Sequence, residues 1–197
     1  MSLQETQGKT SKAGNTPGPL LATTGAAGDL PFSPSGSGAL RRNWRFGLRL
    51  IFGLFWAADA FFKWVLYSQG FSYVQLISGQ ASGQPSPVAS WITYWAGVAG
   101  GIPSFGLLMA VVETVIAAFI LLGFLTKLTS IFGILFNLLV WTTAEGFGGI
   151  FLPGATDVGA SPLYIAMFAG LIIVRAGMQN GLDEWLLMKH PGLRVLL

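Results

Sequence analysis

A helix needs a run of about twenty predominantly apolar residues to cross a bilayer. Such a run begins just after the basic cluster RRNWRF, Arg41 to Phe46, and continues as GLRLIFGLFWAADAFFKWVLY to Tyr67. A segment of this length and character has few soluble alternatives, so the first transmembrane helix is predicted near 46–67. The composition agrees. Apolar residues are 52% of the 197 and charged residues only 10%, against roughly 25% charged in a soluble domain. The mean hydropathy is +0.62. A net charge of +3, spread thinly, is too little for a nucleic-acid surface, so nucleic acid is not an expected partner and the lipid bilayer is.

Upstream, residues 1–40 are rich in Gly, Ser, Thr, Pro and Ala and show no apolar period. They read as a disordered cytoplasmic tail. No apolar core follows Lys9 and Lys12, so the tail does not read as a signal peptide. Downstream, Ser68 to Pro87 is polar, uncharged and turn-rich, the signature of a loop. Three further apolar segments predict helices near 105–125, 128–145 and 162–177. The expected fold is an all-α integral membrane bundle of four helices within 41–187. The stretch Val88–Gly101 is too short to cross at about 1.5 Å per residue. Its Trp91, Tyr94 and Trp95 suit an interfacial belt, so it reads as a short helix on the outer surface or a re-entrant piece. Residues 178–197 read as an amphipathic tail with Leu182, Trp185, Leu186 and Leu187 as its apolar side.

Lys and Arg concentrate on the cytoplasmic side of membrane proteins. With four helices and both termini inside, every base except Lys63 falls on or near that side, including Lys9, Lys12, Arg41, Arg42, Arg45, Lys127, Arg175, Lys189 and Arg194. Arg49 is expected to snorkel toward the same surface. The implied location is the cell's inner (plasma) membrane, crossed several times.

Ionisable groups inside such a bundle carry the functional signal. Asp59 and Lys63 are four residues apart, which puts them on one helix face, within pairing reach. Counted from Phe46 at about 1.5 Å per residue, Asp59 lies roughly 20 Å and Lys63 roughly 26 Å into a core about 30 Å thick. Glu113 is the ninth residue of the second helix, near mid-membrane. Glu145 ends the third helix, and Asp157 lies in the loop after it. Charges in lipid are costly and usually face an interior or a wet cavity, and buried carboxylates without counter-charges take up protons. One reading is an outward-opening pocket of Glu113, Asp59 and Lys63 for a proton or a small polar molecule. The other is a structural ion pair with Glu113 as an interhelical hydrogen-bonder. Glu145, Asp157 and Asn137 are weaker substrate-binding candidates. The two acids read equally as solvated loop groups, and Asn137 reads as a bond between helices.

Several chemistries have no residues to support them. Without cysteine there is no thiolate metal site, iron–sulfur cluster or Cys nucleophile. His190 is the single histidine, so haem with two His ligands cannot form within the chain. No metal-ligand spacing occurs, and no GxGxxG or Walker loop points to a flavin or nucleotide.

The segment RLIFGLFWAADAFFK, with Arg49, Leu50, Gly53 and Lys63, resembles the opening of DoxX/DoxD-type membrane proteins. ETVIAAFILLGFLTK, with Glu113, Leu121, Leu122, Gly123, Thr126 and Lys127, resembles the second helix of that family and its exit. EGFGG and GATDVGAS are similar to the loop between its third and fourth helices. Asp59 departs from the small residue the family pattern leads one to expect. The resemblance spans about Arg41 to Leu187. It implies a membrane subunit of a respiratory, quinone-linked oxidoreductase, with thiosulfate or another sulfur compound as donor, quinone as acceptor and further redox subunits as partners. It also admits a non-catalytic anchor or assembly subunit of a larger redox complex.

Overall fold

The computed structural model describes residues 35–195. Among these, the chain forms seven α-helices and no strand: α1 Ser35–Ser68, α2 Tyr73–Gly79, α3 Ser86–Gly100, α4 Phe105–Leu122, α5 Thr126–Thr142, α6 Ser161–Ile173 and α7 Leu182–Lys189. Short 3-10 turns lie at Gly146–Gly149, Ala176–Met178 and Pro191–Val195. Of the tail expected to be disordered, 1–34 lies outside the described residues. Residues 35–40 instead form the first turns of α1, where Ala39, Leu40, Arg41 and Arg42 favour helix.

α1 buries one stripe, Arg49, Phe52, Trp56 and Ala60, with half-buried Lys63 following it. Steps of three and four residues keep these on one face. α4 runs antiparallel along that stripe. Gly106 sits by the Tyr67 ring and Gly53 by Leu121, and the Trp64 indole donates to the Thr114 hydroxyl at 2.9 Å. α6 closes the core through rings: Phe52 meets Phe168 edge-on at 4.8 Å, and Trp56 meets Tyr164 and Phe168 at 5.1 Å each. Such tilted contacts suit the charge distribution of aromatic rings.

α5 and α6 are also antiparallel and approach closely at Gly133. A Cβ added there would stand 2.5, 2.6 and 2.7 Å from three atoms of the Phe168 ring. Gly133→Ala is therefore expected to cost about 1–3 kcal/mol by overpacking, read as a lowered thermal midpoint in detergent. A variant as stable as the parent would place the two helices further apart than described.

The ends of these helices differ from the expected bounds for tertiary reasons. α4 stops at Gly123, whose φ of +63° is the left-handed conformation glycine tolerates. The Phe124 amide there donates back to the Phe119 carbonyl at 2.9 Å, a Schellman closure. α5 starts two residues before the expected Leu128, because Asp183 accepts hydrogen bonds from the Leu125 and Thr126 amides at 2.6 and 2.8 Å. α6 ends at Ile173 rather than near 177, as Arg175 turns left-handed with φ +50°. The stretch Ser68 to Pro87, read as a loop, contains α2. Ser72 caps it by accepting from the Gln75 amide at 3.3 Å, and Ile77 joins α3 residues Ile92, Ala96 and Ala99 in a second small core.

Two helices are long and apolar enough to cross a membrane: Asn43–Ser68 within α1, and α4. Only 22% and 28% of their most apolar windows is buried within the protein. Ile51, Phe55, Phe61 and Phe62 of α1, Leu135 of α5 and Leu163 and Ile173 of α6 are all more than half exposed. Arg49, Glu113, Ser130, Asn137 and Asp183 are instead buried.

Candidate functional site

α1 and α4 bring three ionisable groups together. Lys63 Nζ lies 3.1 Å from Asp59 Oδ2, one helical turn away, and 3.4 Å from Glu113 Oε2 across the helix pair. The antiparallel register that sets Trp64 against Thr114 also sets Lys63 against Glu113. Asp59 is the most exposed member, with 36% of its side chain exposed, while only 4% of the Glu113 side chain is exposed. The cluster is thus graded from an accessible carboxylate, through a half-buried ammonium, to a buried carboxyl. Glu113 Oε2 has the ion pair but no hydrogen-bond partner among the described residues. Two carboxylates face one ammonium, so full ionisation leaves an unbalanced negative charge in a poorly solvated place.

Tyr73, the first residue of α2, was not legible as a member of this site. Its side chain is buried, and its hydroxyl also has no hydrogen-bond partner among the described residues. Burial raises the Tyr73 phenol above its ordinary value; Lys63 opposes that shift, and Glu113 and Asp59 add to it. The phenol therefore stays protonated and can donate a hydrogen bond toward the cluster. Its only sequence signal is an aromatic residue directly after a serine cap.

The weaker candidates have local duties. Both carboxylate oxygens of Glu145 accept from the Ser161 amide at 3.2 Å, which places negative charge at the N-terminus of α6. Asp157 is exposed and accepts from the amides of Val158 and Gly159 at 2.6 and 3.1 Å, closing its own turn. Asn137 is buried, but its amide donates at 2.7 Å to the Gly133 carbonyl of its own helix, rather than bridging helices. Neither Glu145, Asp157 nor Asn137 joins the Lys63 cluster through these bonds.

Arg49 does not snorkel. It is 1% exposed and donates to the carbonyls of Ala176, Gln179 and Asn180 at 2.9, 3.2 and 2.9 Å. Those carbonyls belong to the irregular segment after α6, where helix ends leave acceptors unsatisfied. Gly123 and Gly181 let the guanidinium pass, since a Cβ on either would meet it closely. Asp183, 0% exposed, lies within electrostatic reach of Arg49. The tail helix α7 therefore docks through its acid, and Leu182 and Trp185 of its expected apolar side remain exposed.

On the α4–α5 flank, Val112, Val115, Ile116, Phe119, Leu128 and Phe132 line an apolar groove of about 340 Å³. It adjoins the helix that carries Glu113. Among the described residues, no group of three or more acids or histidines is arranged to hold a metal ion. Known protein families, curated proteins and solved structures offer no match to this chain.

Proposed function

We propose that the chain is a multi-pass helical membrane protein whose Asp59–Lys63–Glu113 cluster exchanges a proton for a quinone-linked redox reaction. The observation that carries this reading is a buried carboxyl, Glu113, shared through one ammonium with a second, partly exposed carboxylate. One bound proton neutralises the set, and Lys63, one helical turn nearer the outer surface than Asp59, links the buried carboxyl to the more exposed one. Intramembrane carboxyls of this kind are usually functional. The α4–α5 groove offers an apolar place for an isoprenoid or acyl chain beside that helix.

Membrane embedding is supported by the many large apolar side chains on the outside, while Arg49, Glu113, Asn137 and Asp183 lie inside beside the apolar core. An apolar exterior of that extent would be an aggregation surface in water. In the proposed four-helix bundle, α1, α4, α5 and α6 cross the bilayer. α5 and α6, at 17 and 13 residues, span about 25 and 20 Å at 1.5 Å per residue, short of a 30 Å core. Local thinning and the adjoining turns accommodate the difference. Arg45, Lys127 and Arg175 line one shared cavity, at the end opposite Lys63. This asymmetry supports cytoplasmic termini in the inner membrane.

The quinone link and a redox partner rest on the resemblance to DoxX/DoxD-type subunits. The test is gentle-detergent purification of the tagged protein from its own membranes, followed by mass spectrometry of co-purifying proteins and lipids. Stoichiometric redox subunits or bound quinone are expected. A protein that emerges alone and without quinone would contradict the subunit reading.

A further inference from the structure

The Asp59–Lys63–Glu113 cluster has two sides that differ in cover. Toward the outer end of the bundle it is closed. Gly106 stands on α4 ahead of Glu113, about 10 Å outward at 1.5 Å per residue. A Cβ there would meet the Tyr67 and Tyr73 rings at 3.4 Å each. Tyr73 is 6% exposed and lies within electrostatic reach of Lys63, Glu113 and Asp59. Phe71 backs its ring edge-on at 5.1 Å. Beyond Tyr73, α2 and α3 share a core of Ile77, Ile92, Ala96 and Ala99. The turn between them is tied down where the Gln84 side-chain amide donates to the Gly146 carbonyl at 3.2 Å.

Toward the bilayer the cluster is open. Asp59 keeps 36% of its side chain exposed, and its helix neighbours at i−4 and i+3, Phe55 and Phe62, are both more than half exposed. Those spacings put all three on one lateral face of α1, within an apolar segment long enough to cross a membrane. Lys63 Nζ donates to both Asp59 oxygens at 3.3 and 3.1 Å. A carboxylate offers about four acceptor positions, so Asp59 retains capacity on its exposed side. An ionised acid open to lipid is costly unless a polar group covers it.

We propose that the cluster is served from the bilayer and not from outer water: a lipid-soluble hydroquinone docks sideways at Asp59, its ring between Phe55 and Phe62 and one hydroxyl donating to the carboxylate. Tyr73, held against Gly106 at the start of α2, keeps outer water off Glu113. A hydroxyl donor on an ionised acceptor makes a strong hydrogen bond, and flanking phenylalanines suit tilted or offset contacts with an aromatic head. The ligand class rests on the quinone-linked reading above, and the sidedness on membrane embedding alone.

The experiment uses the full-length protein in vesicles of neutral lipid. Two carboxyl reagents, lipid-soluble dicyclohexylcarbodiimide and a water-soluble carbodiimide, are admitted to both faces by freeze–thaw, and labelled residues are read by peptide mass spectrometry. Labelling counts as either the stable adduct or an amide link to Lys63, in which the carbodiimide carries away the lost water as a urea. Asp59 is expected to react with the lipid-soluble reagent and to be spared by the water-soluble one. Decyl hydroquinone is expected to protect Asp59, and its dimethyl ether, which has no hydroxyl to donate, to leave labelling unchanged. Tyr73→Ala is expected to raise labelling of Glu113 by the water-soluble reagent about tenfold, as for a buried group that is opened locally. Tyr73→Phe, which keeps the ring, stays at the parental level. Equal labelling of Asp59 by both reagents, or no protection by the hydroquinone, would overturn the proposal, as would a folded Tyr73→Ala protein that labels like the parent. The first two readings are taken on the parent protein, so they stand even if Tyr73→Ala fails to fold. Carbonate extraction of parent membranes tests embedding separately, and a lack of redox partners in the co-purification would leave hydroquinone protection untouched.

Discussion

Replacing Arg49 with methionine is expected to destabilise the protein by about 3–5 kcal/mol, the range for removing one partner of a buried charge pair. The arginine fork holds the carbonyls of Ala176, Gln179 and Asn180, and its charge lies near buried Asp183. Methionine fills much of the volume but satisfies none of these groups. The carbonyls would remain orphaned, and Asp183 would lose its nearby positive charge while still capping α5. Arg49→Lys restores the charge but not the planar fork, so it should recover only part of the loss. Asp183→Asn should also destabilise, because one amide-capping oxygen becomes an NH2 donor. Both changes strike one network, so the double variant should lose less than the sum. Tryptophan fluorescence during denaturant titration in micelles measures each value; the chain has seven reporters. An Arg49→Met protein with parental stability would show that the guanidinium does not tie α1 to the segment after α6.

Glu113→Gln is expected to leave the fold nearly intact and to lower quinone-linked turnover by about 10²- to 10⁴-fold, the usual contribution of a positioned proton donor or acceptor. The change is nearly isosteric, and Lys63 keeps Asp59 at 3.1 Å. Glutamine cannot accept or release the proton. Asp59→Asn should be milder, since Asp59 is the more exposed member of the cluster. Membrane vesicles prepared from cells that make the parent or the variant provide the assay, with quinone reduction followed optically. Loss of folded protein in Glu113→Gln would instead assign the carboxyl a structural duty, and full turnover would remove it from the reaction.

The long helices were legible because their signal is local. α1 and α4 announce themselves as uninterrupted apolar runs, and the Asp59–Lys63 pair follows from one helical turn. The meeting of Lys63 with Glu113 was not legible, because it depends on the register between two helices fifty residues apart in sequence. Tyr73 was hidden for the same reason, inside a turn-rich stretch whose capping serine is a weak local cue. Arg49 was misread because snorkelling is the default for a base near a helix end. Here the orphaned carbonyls after α6 and the passage opened by Gly123 and Gly181 hold it inside. Asp183 was missed because an acid beside a leucine-rich tail looks solvated, whereas it caps a helix distant in sequence. Glu145 and Asp157 were visible as acids, but only the fold gives them amides to accept from.

The most direct test of the proton-exchange site is infrared difference spectroscopy of the protein in lipid vesicles, recorded across a pH titration for the parent and Glu113→Gln. A protonated-carboxyl band that appears and disappears with pH in the parent, and is absent from Glu113→Gln, is the predicted result. Identical spectra from the two proteins would contradict the account, because Glu113 would then exchange no proton.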